Sequence, residues 1–226
     1  MESNGNIAID GPAGAGKSTI ARLLAERLNY LYIDTGAMYR ALAWKALRKG
    51  LDLTDESGLS RLAEDTEIML RVDPEGKNLV YCDHVDVTED IRLPEVSRNV
   101  SLVAKVPGVR RRMVELQRRM ASSGRVVMDG RDIGTHVLPD APYKFFLTAS
   151  LDERARRRFM ELKQQGHAVT LDEVKEEIRM RDHTDAKREV APLVQAPEAM
   201  LIDTTGLSPE EVIRMILARC HGGGKH

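Results

Sequence analysis

The run Gly11-Pro12-Ala13-Gly14-Ala15-Gly16-Lys17-Ser18-Thr19 sets glycines ahead of a lysine and two hydroxyls. Glycines admit backbone conformations in which successive N–H groups converge on one anion. The spacing G-x-x-x-x-G-K-[ST] makes that anion a nucleotide phosphate. The loop wraps it, Lys17 reaches the β- and γ-phosphates, and Ser18 offers a hydroxyl to Mg²⁺. Gly11 through Thr19 are therefore the expected ATP-binding residues. The flanks suit the motif. Ile7-Ala8-Ile9 reads as a buried strand, and Ile20, Leu23, Leu24 and Leu28 have the spacing of a one-sided helix whose positive end faces the same anion.

The loop does not say what receives the phosphate. A GTP-dependent switch needs a guanine-reading Asn-Lys-x-Asp, which the sequence lacks. Asp203-Thr204-Thr205-Gly206 has the D-x-x-G form of such switches, but it follows the last expected strand and reads as a strand end. An enzyme that joins two phosphorylated molecules must cancel their repulsion where water is excluded, and so needs many cations. The arginines fit that need. Arg40 follows the second expected strand and Arg131 the third. Arg154, Arg157 and Arg158 share one helix face, and Arg181 and Arg188 flank Asp185. Ligands of open parallel sheets bind at these strand ends. Arg111, Arg112, Arg118 and Arg119 read as solvated surface. Asp129, ending an apolar strand, could orient Mg²⁺-bound water or brace the phosphate loop. No histidine is needed as a base, because phosphoryl transfer depends mainly on alignment and charge cancellation.

Five short apolar strands position these groups: 7–9, 30–34, 125–129, 144–150 and 199–203. Helical patterns alternate with them, at 36–50, 93–121, 151–166, 173–182 and after Ser208. Such alternation implies an α/β fold with a central parallel sheet covered on both faces. Ser150 with Glu153, Thr170 with Glu173, and Ser208 with Glu211 have capping-box spacing. Residues 66–88 behave differently. Three strand-like segments around the turn Pro74-Glu75-Gly76 read as a small antiparallel insert near 63–90.

Lys plus Arg is 34 and Asp plus Glu is 35, so a net charge of -1 gives no bulk attraction to nucleic acid or anionic membrane. Aromatic residues make up 4% of the chain, too few to interleave "VRRRMVELQRR" as an RNA-binding stretch. Cys82 and Cys220 read as free thiols. No signal peptide and no membrane-length apolar stretch is expected, so the reading is a cytoplasmic monomer acting on small molecules. "GGGKH" (222–226) is expected to be a disordered tail.

The segments "IDGPAGAGKST" (9–19), "DTGAMYRALA" (34–43), "DGRDIGT" (129–135), "PDAPYKFFLTAS" (139–150) and "RDHTDAKREVAPL" (181–193) carry a resemblance. In this order they resemble the bacterial-type cytidylate (CMP/dCMP) kinases, in the nucleoside monophosphate kinase group of P-loop kinases. The resemblance implies one P-loop kinase domain over 1–226, a monophosphate-binding insert at about 36–105 and a short lid at about 154–168. It implies Mg²⁺-dependent transfer of the ATP γ-phosphate to CMP or dCMP. Thr35, Arg40, Arg131 and Arg188 would hold the monophosphate. Ser101, Arg110 and Asp132 would read the cytosine, and Arg181 and Asp185 would contact the ribose and neighbouring phosphate. Arg157 and Arg158 would lie in the lid over the ATP phosphates, and closure of lid and insert would exclude water. Lys17, Arg131, Arg157, Arg158 and Arg188 would carry the catalysis. His136 departs from the apolar residue more common there.

Two rival readings remain: a P-loop kinase for UMP, AMP or another small acceptor, and a module that only senses ATP. Replacement Lys17→Ala is expected to abolish ADP release in a coupled assay with CMP as acceptor; an active variant would disprove the phosphate-loop assignment.

Overall fold

A computed structural model describes residues 5–73, 76 and 78–222. The chain divides into two compact units, one comprising Met1–Tyr32 with Ala121–His226 and the other Ile33–Met120. The expected turn at Pro74-Glu75 and the expected tail at 223–226 lie outside the described residues.

The first unit is built on a five-stranded sheet in the order β2-β6-β1-β7-β8. Its strands are β1 (Ile7–Asp10), β2 (Leu31–Asp34, whose last two residues are counted with the second unit), β6 (Val126–Gly130), β7 (Tyr143–Thr148) and β8 (Met200–Asp203). β1 lies at the centre and pairs in parallel with β6 and β7, and β7 pairs in parallel with β8. All four residues of β1 and all five of β6 are buried, as expected for strands covered on both faces. Helix α1 (Lys17–Leu28) packs Ile20, Leu24 and Ala25 onto this sheet, in one core with Phe145, Leu147, Ile202 and Ile213. The last of these belongs to α8 (Pro209–Gly222).

Register decides where the chemistry sits. Asp10 is level with Gly130 on β6 and with Phe146 on β7. The phosphate loop and the segment beginning at Arg131 therefore leave the sheet side by side, at the carboxyl edge. Beyond β7, helices α6 (Leu151–Gln164) and α7 (Leu171–Lys187) pack around Ala155, Leu162, Val174 and Ile178.

The second unit holds α2 (Thr35–Arg48), α3 (Glu56–Glu64), α4 (Pro94–Ala104) and α5 (Pro107–Met120), with a 3-10 turn at Asp90–Arg92. It also contains the expected antiparallel piece: β3 (Ile68–Val72), β4 (Asn78–Cys82) and β5 (Val85–Asp86), in that order. Met38, Leu42, Leu59, Val80, Val103 and Met113 share its core. The break between α4 and α5 falls where Pro107-Gly108 predicts it. α3 has no counterpart in the sequence expectation. It is short, but Asp55 caps it by accepting from the Gly58 N–H at 2.9 Å, and Leu59, Leu62 and Ala63 are buried.

The caps refine the reading. The reciprocal box forms at Thr170–Glu173 and at Ser208–Glu211. At Ser150 only half of it forms. Ser150 Oγ accepts from the Glu153 N–H, but the Glu153 carboxylate turns to Arg156 and Arg157 instead. Two guanidinium groups hold the carboxylate more strongly than one backbone N–H would, and the Ser150 N–H donates to Thr205 Oγ1 at 2.9 Å instead.

Among the described residues no helix is long and apolar enough to cross a membrane. Cys82 and Cys220 are both free and buried, and burial pushes each thiol up to about 11. At pH 8 such a thiol is only about one part in a thousand thiolate. Iodoacetamide at pH 8 should therefore leave both unmodified in the native protein and alkylate both in denaturant, as read by intact mass.

Candidate active site

The phosphate loop closes on itself through backbone geometry. Gly11 has φ +146° and Gly14 φ +77°. A Cβ on Gly11 would stand 1.9 Å from the Leu147 carbonyl oxygen. One on Gly14 would stand 3.0 Å from Arg154 Cβ. The loop thus lies directly on β7 and on the first turn of α6. Helix α1 begins after Gly16 with no side-chain cap and no acidic residue in its first turn, so nothing of its own competes for an anion. By contrast α2, α3, α6 and α7 each take a side-chain cap. An uncapped, acid-free helix start leaves its N–H groups available for phosphate.

Lys17 is buried and donates through Nζ to the Pro12 carbonyl at 2.7 Å. Burial, and then the nearby Arg131, hold its pKa well below the ordinary lysine value. Ser18 Oγ donates to Asp129 Oδ2 at 3.1 Å, and the Tyr32 hydroxyl donates to Asp129 Oδ1 at 2.8 Å. Asp129 is thereby oriented through both oxygens.

A second set of charges stands beside this one. Arg131 Nε donates to Asp185 Oδ2 at 2.8 Å, with Asp185 95% buried. Burial opposes both charges. The attraction of Asp185 nevertheless keeps Arg131 above its ordinary pKa, and Arg131 followed by Arg181 keeps Asp185 below the usual carboxylate range. Arg181 acts electrostatically on both Lys17 and Asp185. Arg188 pairs with Asp132 at 3.4 Å and also donates to the Ala191 carbonyl. In the sequence Arg181 and Arg188 flank Asp185; the structure adds a direct bond from Arg131, 54 positions away.

The arginines of α6 separate into different tasks. Arg154 is buried and does not stand with its neighbours as an exposed cation. Its Nη1 donates to the Ala13 carbonyl at 3.0 Å and pairs with Asp182 on α7 at 2.6 Å. Arg157 reaches Thr204 Oγ1 at 3.0 Å and lies 3.6 Å from where a Cβ of Gly16 would be. Arg158 pairs with Glu161 on its own helix. In the second unit, the Asp34 carboxylate caps α2 and accepts from Arg40 at 3.0 Å, and Thr35 is buried behind it. Arg110 is buried on α5, donates to the Ala104 carbonyl at 3.2 Å, and holds its guanidinium over the Tyr39 ring, 5.7 Å from the centroid. Ser101 is half-buried on α4.

The sequence profile of the cytidylate kinase family matches residues 7–222. The chain belongs to that family. It is 59% identical over 223 residues to a cytidylate kinase of Pelotomaculum thermopropionicum, covering 99% of each chain. It is 56% identical to one of Desulfitobacterium hafniense, covering 96% of this chain and 93% of that one. In fold, it resembles the crystal structure of an uncharacterized protein from Eubacterium ventriosum, with TM-score 0.53 and 15% identity, covering 97% of this chain and 99% of the other. The protein is accordingly a kinase.

Three residues around the phosphate loop have no role in the sequence reading, and a fourth, Arg154, is read there only as one of a stripe of cations. Asp10 accepts the N–H groups of Ile133 and Gly134, both at 2.8 Å. Tyr32 orients Asp129. Thr204 bonds the Ala15 and Thr148 carbonyls at 3.2 and 3.0 Å, tying the phosphate loop to the ends of β7 and β8. Arg154 grips the loop from α6. Of the first three, only Asp10 had a local clue, a carboxylate ending an apolar strand.

The contact at Gly11 generates a contrast. Gly11→Ala must displace backbone at a disallowed φ and should cost about 3 kcal/mol or more. Gly206 also has a positive φ, +72°, but open space around it, so Gly206→Ala should cost about 1 kcal/mol. Urea unfolding midpoints of the two variants measure the difference.

Proposed function

We propose that this chain transfers the ATP γ-phosphate to CMP or dCMP, giving ADP and the cytidine diphosphate. One juxtaposition supports it beyond family membership. The phosphate loop and Arg131 leave the sheet side by side at the carboxyl edge of β1 and β6, held by the Asp10–Gly130 register, and Arg131 and Arg188 are part-buried arginines balanced by Asp185 and Asp132. A module that only sensed ATP would have no use for these arginines.

In this reading, the N–H groups of the loop and of the α1 start bind the donor phosphates. Lys17 exchanges the Pro12 carbonyl for a β/γ oxygen. A phosphate beside its ammonium restores the charge that burial disfavours. Arg157, next to Gly16, and Arg158 lie toward the donor phosphates from the lid. Ser18 and Asp129 suit Mg²⁺: both are hard oxygen donors 3.1 Å apart. Among the described residues no cluster of three or more His, Cys, Asp or Glu could hold an ion alone, which matches an ion shared with phosphate oxygens. Mg²⁺ would supply neutralisation of the charge on those oxygens.

Toward the acceptor, Arg131 and Arg188 grip the monophosphate in bidentate fashion. Arg181 and Asp185 meet the ribose. Asp132 accepts from the cytosine amine, where uracil would present a second acceptor. The salt bridges of the free protein keep these groups neutralised until the nucleotide arrives. For the second unit the resemblance alone speaks: Thr35 and Arg40 toward a phosphate, Ser101 and Arg110 toward a base. With small nucleotides as its partners, the chain would work as a cytoplasmic enzyme of pyrimidine nucleotide metabolism.

Coupled ADP release with CMP, dCMP, UMP, AMP or no acceptor tests this reading, and turnover confined to UMP or AMP would reject it. Asp132→Ala should narrow the CMP-over-UMP preference by about tenfold while leaving the KM for ATP within about threefold, since an unpaired polar group costs ~1–3 kcal/mol.

A further inference from the structure

We propose that Asp10 is a positioning residue for the acceptor: its carboxylate holds the Ile133–Gly134 backbone, and through it the direction in which Arg131 and Asp132 leave β6. The inference rests on the cytidylate reading of those two side chains and extends it to a residue that touches neither nucleotide.

The geometry is specific. Asp10 ends the central strand β1 and is 96% buried. Its Oδ1 accepts from the Ile133 N–H and its Oδ2 from the Gly134 N–H, each at 2.8 Å. These two residues open a π-helical turn, Ile133–Val137. The N–H groups at a helix start have no partner within the helix, so the carboxylate caps the turn from another strand. Asp132 just before it is held at φ -148°, ψ 26°, away from helical values. A shift of the turn would therefore swing both Asp132 and Arg131.

Three further observations support the assignment. Burial is the largest influence on the Asp10 carboxyl and raises its pKa to about 6. A buried carboxylate is a costly way to fix a loop, so its presence calls for a geometric benefit. The neighbouring Asp132 disfavours its charge and Lys17 favours it, which places Asp10 electrically between acceptor and donor groups. The Gly134 backbone passes close over the carboxylate: a Cβ there would lie 3.3 Å from the Lys144 stem and in contact with Asp10 Oδ2 at 3.4 Å. Finally, Asp10 is followed at once by Gly11. One residue thus ends the strand that launches the donor loop and caps the turn that launches the acceptor groups.

Asp10→Asn keeps the shape but replaces one accepting oxygen with an amide that cannot accept. Three quantities separate positioning from general support: KM for CMP and for ATP, the ratio of kcat/KM for CMP to that for UMP, and amide exchange at 131–135 without nucleotide. Asp10→Asn should raise the KM for CMP and lower the CMP-over-UMP ratio, each by about tenfold, the size of one lost polar constraint. The KM for ATP should stay within about threefold, and exchange should quicken at Ile133 and Gly134 but not across the sheet. An unchanged CMP-over-UMP ratio overturns the proposal, as does equal weakening of ATP and CMP. If Asp10→Asn does not fold, Asp10→Glu keeps a carboxylate but moves both accepting oxygens by a methylene; it should shift the ratio in the same direction, and an unshifted ratio overturns the proposal. Wild-type protein that does not prefer CMP to UMP removes the cytidylate reading and this inference with it, whereas a preference that survives in the variants defeats the inference alone.

Discussion

Charges kept away from water must find opposite charge or a carbonyl, and this governs the kinase before any nucleotide binds. Lys17 leans on Pro12, Arg131 on Asp185, Arg188 on Asp132, and Arg154 on Asp182. In the proposed function the partners of Lys17, Arg131 and Arg188 stand where phosphate oxygens would, while Arg154 stays on Asp182 and the Ala13 carbonyl. Removing one member of such a pair strands the other, which costs more than the pair itself contributes. These side chains are therefore held in place by partners from the chain itself. On the proposed reading, binding would exchange these partners for phosphate oxygens.

The sheet underlies this arrangement. Because β1 is central and fully buried, the loop after it is anchored on three sides: the Leu147 carbonyl against Gly11, Arg154 against Ala13, and Thr204 against Ala15. Rigid strands bring the groups within reach, and the loops between them need only small adjustments.

Much of the fold was readable in the sequence, because apolar runs bounded by turn residues mark strands however they are later ordered. The phosphate loop was readable because its glycines, lysine and serine are adjacent in the chain. The antiparallel piece announced itself by a change of period. Hidden from the sequence were bonds between residues far apart: Asp10 with Gly134, Tyr32 with Asp129, Thr204 with Ala15. No local pattern encodes these, since each depends on strand order. Arg154 misled for the opposite reason. It shares helical spacing with Arg157 and Arg158, yet its turn of α6 faces the phosphate loop, so one periodic stripe holds a buried clamp beside more exposed cations. The Ser150 half-box differs from its spacing because Arg156 and Arg157 compete for Glu153.

The seclusion of both native cysteines has a practical side. A cysteine placed by design on the surface of α6 or the small antiparallel sheet would be the thiol that reacts at neutral pH. Fluorophores or spin labels could then report distances during turnover on the otherwise unaltered enzyme, without first stripping Cys82 and Cys220 from their packed positions.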